Sequence, residues 1–262
     1  MNPDTIDRAA EAFAQARRST RPVDPLPDAW LPADLPEAYR LQHAVASRLG
    51  AIRGWKVSAL TETAQRAMGV PSPVAAPLLA PWVQEAPARF ALADFMTPRL
   101  ECEFAFELAH DLPSRPTPYS RAEVEAAIGA LRIVVEVCDS RVPAGRSVWL
   151  ELADGFNNGA FVVGPAHADW RSVDFPAQAI VLRARDAHGV RELAHGDASP
   201  VLGGDPVGAL RLMACFAPPG YGGLKAGQIV TTGTCTGAVA LDAPAEVSAD
   251  FGALGQVVLR FD

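Results

Sequence analysis

The sequence predicts an α+β protein: a mixed β-sheet core, curled into a sandwich or roll, behind a small N-terminal α/β cap over residues 1–70. Three observations predict it. Short apolar runs bounded by Gly and Pro turns dominate residues 71–262. Helical periodicity is concentrated near the N-terminus. The helical segments further on do not alternate regularly with the strands, which argues against a parallel βαβ sheet.

Residues 4–18 carry Ile6, Ala9, Ala10, Phe13 and Ala14 at helical spacing, with Asp4 or Thr5 available as a cap. The Pro-rich link "RPVDPLPDAWLPADLP" follows, then a second helix from Pro36 to Leu49 through Tyr39, Leu41 and Val45. A strand at Gly54–Ser58 and a helix through "TETAQRAMG" complete the cap. Beyond it, "RLECEFAFELA", "ALRIVVEVCDS", "NGAFVVGP", "QAIVLRARDAHGV", "GQIVTTG" and "GQVVLRF" read as strands. "SRAEVEAAIGA" and "DPVGALRLMACF" read as helices. No internal repeat is evident, and residues 71–262 are expected to form one structural unit.

Composition narrows the partners. At 262 residues the chain can bury a large core. Its net charge is −7, and it has no basic run interleaved with aromatics, which argues against nucleic acid and anionic membranes and for a small molecule. The four cysteines, Cys102, Cys138, Cys215 and Cys235, form no C-x-x-C pair and suit a reducing compartment. The N-terminus has no apolar h-region, and no long uncharged apolar stretch follows, so a cytoplasmic protein is expected. There are 21 arginines but two lysines, Lys56 in "GWKVS" and Lys225 in "GGLKAGQ". A bias towards Arg would leave Lys where a compact ammonium is needed, which marks Lys56 as a candidate; Lys225 reads as a turn residue.

In "RLECEFAFELAHDL" the two-residue strand repeat points Leu100, Cys102, Phe104, Phe106 and Leu108 one way and Glu101, Glu103 and Glu107 the other. A solvated polar face is one reading. However, no Lys or Arg follows within the strand to offset the repulsion. In "LRIVVEVCDSR" a solitary Glu136 interrupts a run apolar enough to be buried on both faces. A buried carboxylate must be protonated, paired or metal-bound. Glu101, Glu103 and Glu136 converging from adjacent strands would suit Mg2+ or Mn2+. A salt-bridge network with Arg132, Arg141 or Arg146 is the competing reading.

Six stretches, "LPEAYRLQHAV", "GWKVSALTETAQRAMGV", "LECEFAFELAHDL", "VVEVCDSR", "LADGFNNGAFVVG" and "LKAGQIVTTGTCTG", give the chain a resemblance to a known family along almost its whole length. It resembles the fumarylacetoacetate hydrolase superfamily, in the branch of 2-keto-4-pentenoate hydratases and 4-oxalocrotonate decarboxylases. The resemblance implies the superfamily's mixed-β core and a Mg2+ or Mn2+ ion held by Glu101, Glu103 and Glu136. Asp139 is the alternative third ligand if that strand's register differs. It implies an active-site lysine at Lys56, a hydroxyl near the ligand at Thr236, and substrate contact at Asn157. The activity implied is a lyase, hydratase-like, acting on a small 2-hydroxydienoate or 2-oxo acid in aromatic catabolism, with a homo-oligomeric assembly. A 2-oxo acid decarboxylase, an acylpyruvate-type hydrolase and a non-catalytic acid-binding member are the alternatives.

The chain departs from the family pattern in places. "PSPVAAP" puts Val74 where hydratases carry an Asp used in proton transfer. Asn157 and Asn158 replace small serines, and Ser58 and Leu60 replace the residues that often follow the lysine. "GTCTG" lacks the strand-turn-helix setting of a nucleophile elbow, the five histidines form no metal pair, and "GGLKAGQ" lacks phosphate-loop spacing.

Overall fold

The computed structural model describes residues 1–23, 25–216 and 218–262, so Asp24 of the Pro-rich link lies outside the described residues. Helix α1 (Pro3–Ser19) is capped by Asn2, whose side chain accepts from the Thr5 amide, rather than by Asp4 or Thr5. Its stripe of Ala9, Ala10, Phe13 and Ala14 packs against Leu41, Val45 and Leu49 of α2 (Leu35–Leu49) in a shared apolar cluster. The chain then forms β1 (Ile52–Ser58), α3 (Glu62–Met68), capped by Thr61, and β2 (Val74–Leu79).

Short strands β3 (Val83–Glu85) and β4 (Ala88–Phe90) precede the long β5 (Arg99–Leu108) and the short β6 (Leu112–Pro113). Helix α4 (Arg121–Ala127) opens with a Ser120/Glu123 capping box and runs straight into β7 (Ile128–Cys138). After these come α5 (Val148–Ala153), β8 (Asn158–His167), β9 (Ile180–Asp186) and β10 (Gly189–Gly196). Helix α6 (Pro206–Phe216), β11 (Gly223–Leu224), β12 (Ile229–Thr234), β13 (Val239–Ala240), β14 (Ala245–Asp250) and β15 (Gln256–Phe261) complete the chain.

The main sheet is eight-stranded, ordered β2-β1-β12-β5-β7-β8-β3, with β13 continuing beside β5. It is mixed: β1 runs parallel to β12 and β3 to β8, while the other pairs are antiparallel. A second sheet, β10-β9-β14-β15-β4, packs on one face of it. The core lies between them. Leu100, Phe104 and Phe106 of β5 and Ile133, Val135 and Val137 of β7 meet Leu182, Val247, Val257 and Leu259. Phe104 meets Phe251 edge-on at a centroid distance of 5.6 Å. Each fully buried side chain of this size contributes about 1.5–3 kcal/mol. This is the α+β fold with a curled mixed core that the sequence predicts.

The segment expected as a cap also supplies the core sheet, because β1 lies inside it between β2 and β12. Gly54 permits that insertion: a Cβ there would stand 1.9 Å from the Ile229 carbonyl oxygen of β12. Lys56, two residues on, is thereby fixed to a rigid strand, with its side chain buried.

Candidate metal centre

On the face of the main sheet away from the second sheet, apolar packing gives way to charge. Leu78, Ala105, Val134, Phe161, Val163 and Ile229 form a small apolar cluster there. Beside it Glu101 and Glu136 are direct register partners across the β5/β7 ladder, a pairing that sets Cβ atoms about 5 Å apart. Strand alternation adds Glu103 on β5 and Cys138 on β7 to the same face. Lys56, Glu101, Glu103, Cys138 and Asn157 line a cavity of about 460 Å³.

Glu136 is fully buried, and its Oε1 accepts from Lys56 Nζ at 2.9 Å and Asn158 Nδ2 at 3.0 Å. Its Oε2 is buried with no partner. An orphaned carboxylate oxygen costs more than a missing neutral acceptor, so the position calls for a proton or a cation. Among the described residues, one metal-capable group assembles: Glu101, Glu136 and Cys138, with ligand atoms all within 4.8 Å of one another. Glu103 lines the same cavity, but its Oε2 accepts from the Gly233 amide at 3.0 Å, and it stands outside that closest group. Glu101, Glu103, Glu136 and Asp139 against Lys56 and Arg99 leave a net −2 when all are ionised, which a divalent cation matches.

Burial raises the Glu101 carboxyl above the ordinary range, and repulsion from Glu136 adds to it, against the pull of Lys56. The same two causes, in the same order, push Glu103 well above it. Burial alone would drive the Lys56 ammonium towards neutrality, but Glu136 reverses this and holds it above the usual lysine value. Lys56 Nζ also donates to the Phe156 carbonyl at 3.0 Å.

That carbonyl is delivered by a turn after α5. Gly155, Phe156 and Asn157 all adopt left-handed backbone conformations, at φ 96°, 50° and 64°. The turn brings the Asn157 carbonyl to the Asp139 amide and starts β8 at Asn158. Two buried arginines hold it from behind. Arg17 of α1 donates to the Asn158 carbonyl at 2.6 Å and the Gly159 carbonyl at 2.8 Å. Arg141 donates to the Asn158 carbonyl at 3.0 Å and forms a buried ion pair with Asp154. Burial and the Arg141 charge lower the Arg17 pKa to about 9, so the guanidinium stays ionised at neutral pH.

The structure brings Lys56, Glu101, Glu103, Glu136 and Asn157 to one place. It does not bring Thr236 there. Its hydroxyl accepts from the Cys102 amide at 3.1 Å and donates to the Gly237 carbonyl, and it does not line the cavity. The β12 register shifts between Thr231 and Thr234, and this turns Thr232 and Thr234 towards the cavity instead. Thr234 Oγ1 is buried without a partner. Asp139 is already engaged, accepting from the Met96 and Thr97 amides at 3.1 and 2.8 Å. The salt-bridge reading holds for Glu107, which pairs with Arg132 at 2.6 Å. Val74 packs in an apolar cluster with Tyr39, Val70 and Phe156. Sequence reasoning did not single out the contact of Asn158 with Glu136, or Arg17.

No family model matches the chain. The chain is 26% identical over 261 residues to a 2-keto-4-pentenoate hydratase from Paraburkholderia phymatum, covering 98% of this chain and 97% of the relative. Its fold superposes on 4-oxalocrotonate decarboxylase from Pseudomonas putida G7, complexed with magnesium and adipate. That match has a TM-score of 0.87, 20% identity, and coverage of 100% of this chain and 99% of the other. A fumarylpyruvate hydrolase from Pseudomonas aeruginosa, in complex with Mn2+ and pyruvate, matches with a TM-score of 0.54 at 16% identity over 80% of this chain and 88% of the other.

Proposed function

We propose, from the premise that the chain belongs to the hydratase and decarboxylase branch of the fumarylacetoacetate hydrolase superfamily, that it is a divalent-metal-dependent lyase, hydratase-like, in aromatic catabolism. Its substrate is a small 2-hydroxydienoate or 2-oxo acid of the 2-keto-4-pentenoate type. The observation that carries the reading is the orphaned Glu136 oxygen beside Glu101, where three glutamates gather around one buried lysine.

Glu101, Glu103 and Glu136 would hold Mg2+ or Mn2+ in this reading. When bound, the ion supplies Lewis-acid polarisation of the substrate's 2-oxo oxygen. Lys56 keeps its charge through Glu136 and presents a fixed ammonium to the cavity, suited to holding a substrate carboxylate or countering charge that develops at an enolate. Asn157 offers an amide to orient the acid, and Thr234 in place of Thr236 offers an unpartnered hydroxyl. Leu60, Met68, Phe156 and Val201 give the cavity an apolar wall that limits water around the hydrocarbon end of the substrate.

A cytoplasmic homo-oligomer is part of the same reading. No helix among the described residues is long and apolar enough to cross a membrane. Val74 favours a second reading, a family member that binds a metal and a 2-oxo acid without turnover, because β2 presents no carboxylate there.

The test is ultraviolet absorbance of 2-hydroxypenta-2,4-dienoate with Mg2+ or Mn2+, run beside Glu101→Ala and Lys56→Ala. Loss of dienol absorbance that needs the metal and both side chains supports the lyase. Metal-dependent oxalate binding without turnover supports the second reading, and a stable fold with no metal affinity overturns both.

A further inference from the structure

Cys138 is the one residue in the closest metal-capable group that is not an acid. It lies two positions from Glu136 on β7, so both side chains leave the same face of the sheet. Its sulphur lies within 4.8 Å of carboxylate oxygens of Glu101 and Glu136, and the side chain lines the cavity. The other buried thiols differ: Cys102 and Cys235 are packed inside the large apolar core, whereas Cys138 belongs to none of the apolar clusters. A buried thiol whose role was packing would be expected among hydrocarbon. This one faces carboxylates.

An independent observation points to a ligand at the same place. Glu136 Oε2 is fully buried and lacks any donor. The sulphur and the two carboxylates lie within 4.8 Å of one another, close to the roughly 4.0–4.6 Å that two metal bonds of about 2.0–2.3 Å can span.

We propose that Cys138 Sγ is itself a metal ligand, beside Glu101 and Glu136, so that the centre is a mixed oxygen and sulphur site favouring Co2+, Zn2+ or Mn2+ over Mg2+. The inference rests on the metal reading above. Coordination replaces the S–H proton, which leaves to solvent, with a sulphur–metal bond. Because thiolate is a soft donor and Mg2+ prefers hard oxygens, one sulphur tilts selectivity without abolishing binding by the acids.

The test is titration of the metal-free protein with Co2+, followed by absorption spectroscopy, with Co2+ and Mg2+ affinities measured by calorimetry on wild type and Cys138→Ser. The expected result is a near-ultraviolet sulphur-to-cobalt charge-transfer band in wild type. Cys138→Ser should lack the band, and its preference for Co2+ over Mg2+ should fall by at least about tenfold. Cobalt bound to wild type with weak visible bands alone would mean oxygen ligation and would overturn the proposal while leaving the metal reading intact. This spectrum decides the matter even where the variant folds poorly. Absence of Co2+, Mn2+ and Mg2+ binding to wild type would sink both.

Discussion

Lys56 Nζ and Glu136 Oε1 stand 2.9 Å apart in an ion pair closed off from solvent, with the ammonium on β1 and the carboxylate on β7. Removing either partner leaves the other as an uncompensated buried charge. Lys56→Met and Glu136→Gln are each expected to cost about 3–5 kcal/mol in urea unfolding of the metal-free protein. The double variant should cost clearly less than the sum of the two. Additive losses would mean that the pair is not coupled.

A divalent ion should stabilise the fold by mass action, about 2.7 kcal/mol at a hundredfold excess over its dissociation constant. Calorimetry should show Tm rising with Mn2+ and falling with chelator. Glu101→Ala should lose most of that response, because one of the two facing carboxylates is gone.

The pH dependence has a defined sign. The folded-state values of Glu101 and Glu103 lie above their unfolded ones, chiefly through burial and then through repulsion. Their contribution to stability is therefore full below the unfolded carboxyl pKa of about 4.3 and is lost as pH rises through the raised values. The metal-free protein should lose stability as pH rises above the unfolded carboxyl value, and the gain from added ion should grow in the same direction. Glu103→Gln should flatten the slope in thermal melts. An unchanged slope in that variant would refute the assignment.

Asn158 Nδ2 orients Glu136 from behind, at 3.0 Å. Asn158→Leu should weaken ion binding by about 10–100-fold in calorimetry, the usual effect of losing a group that positions a ligand.

Gly54→Ala tests the strand that carries Lys56. The added methyl collides with the Ile229 backbone oxygen, which cannot move without opening the β1/β12 pairing. A loss of about 3 kcal/mol or more is expected in chemical denaturation.

Much of this centre was legible in strand periodicity. Alternation along residues 99–108 separated the core-facing Phe104 and Phe106 from the glutamates, and the solitary Glu136 in an apolar run marked a buried charge. Alternation could not separate Glu107 from Glu101 and Glu103. All three share a face, and only the β5/β7 register, which sets Arg132 opposite Ala105, hands Glu107 to a guanidinium. The exchange of Thr236 for Thr234 follows from the irregular β12 register, and a local shift of that kind leaves no periodic trace. Which asparagine meets Glu136 depends on the left-handed turn through Phe156, a conformation that phenylalanine does not advertise. Arg17 lies far from the acids in sequence, among residues whose helical spacing speaks only of packing.

Arg17 also ties the first helix to the chemistry. Its guanidinium reaches across to the backbone of Asn158, the residue whose amide steadies Glu136. A chain trimmed of its opening twenty or so residues would therefore forfeit more than an outer layer of packing. The face that carries the glutamates would slacken from the rear, so truncation or proteolysis at this end should weaken ion binding before the protein visibly unfolds.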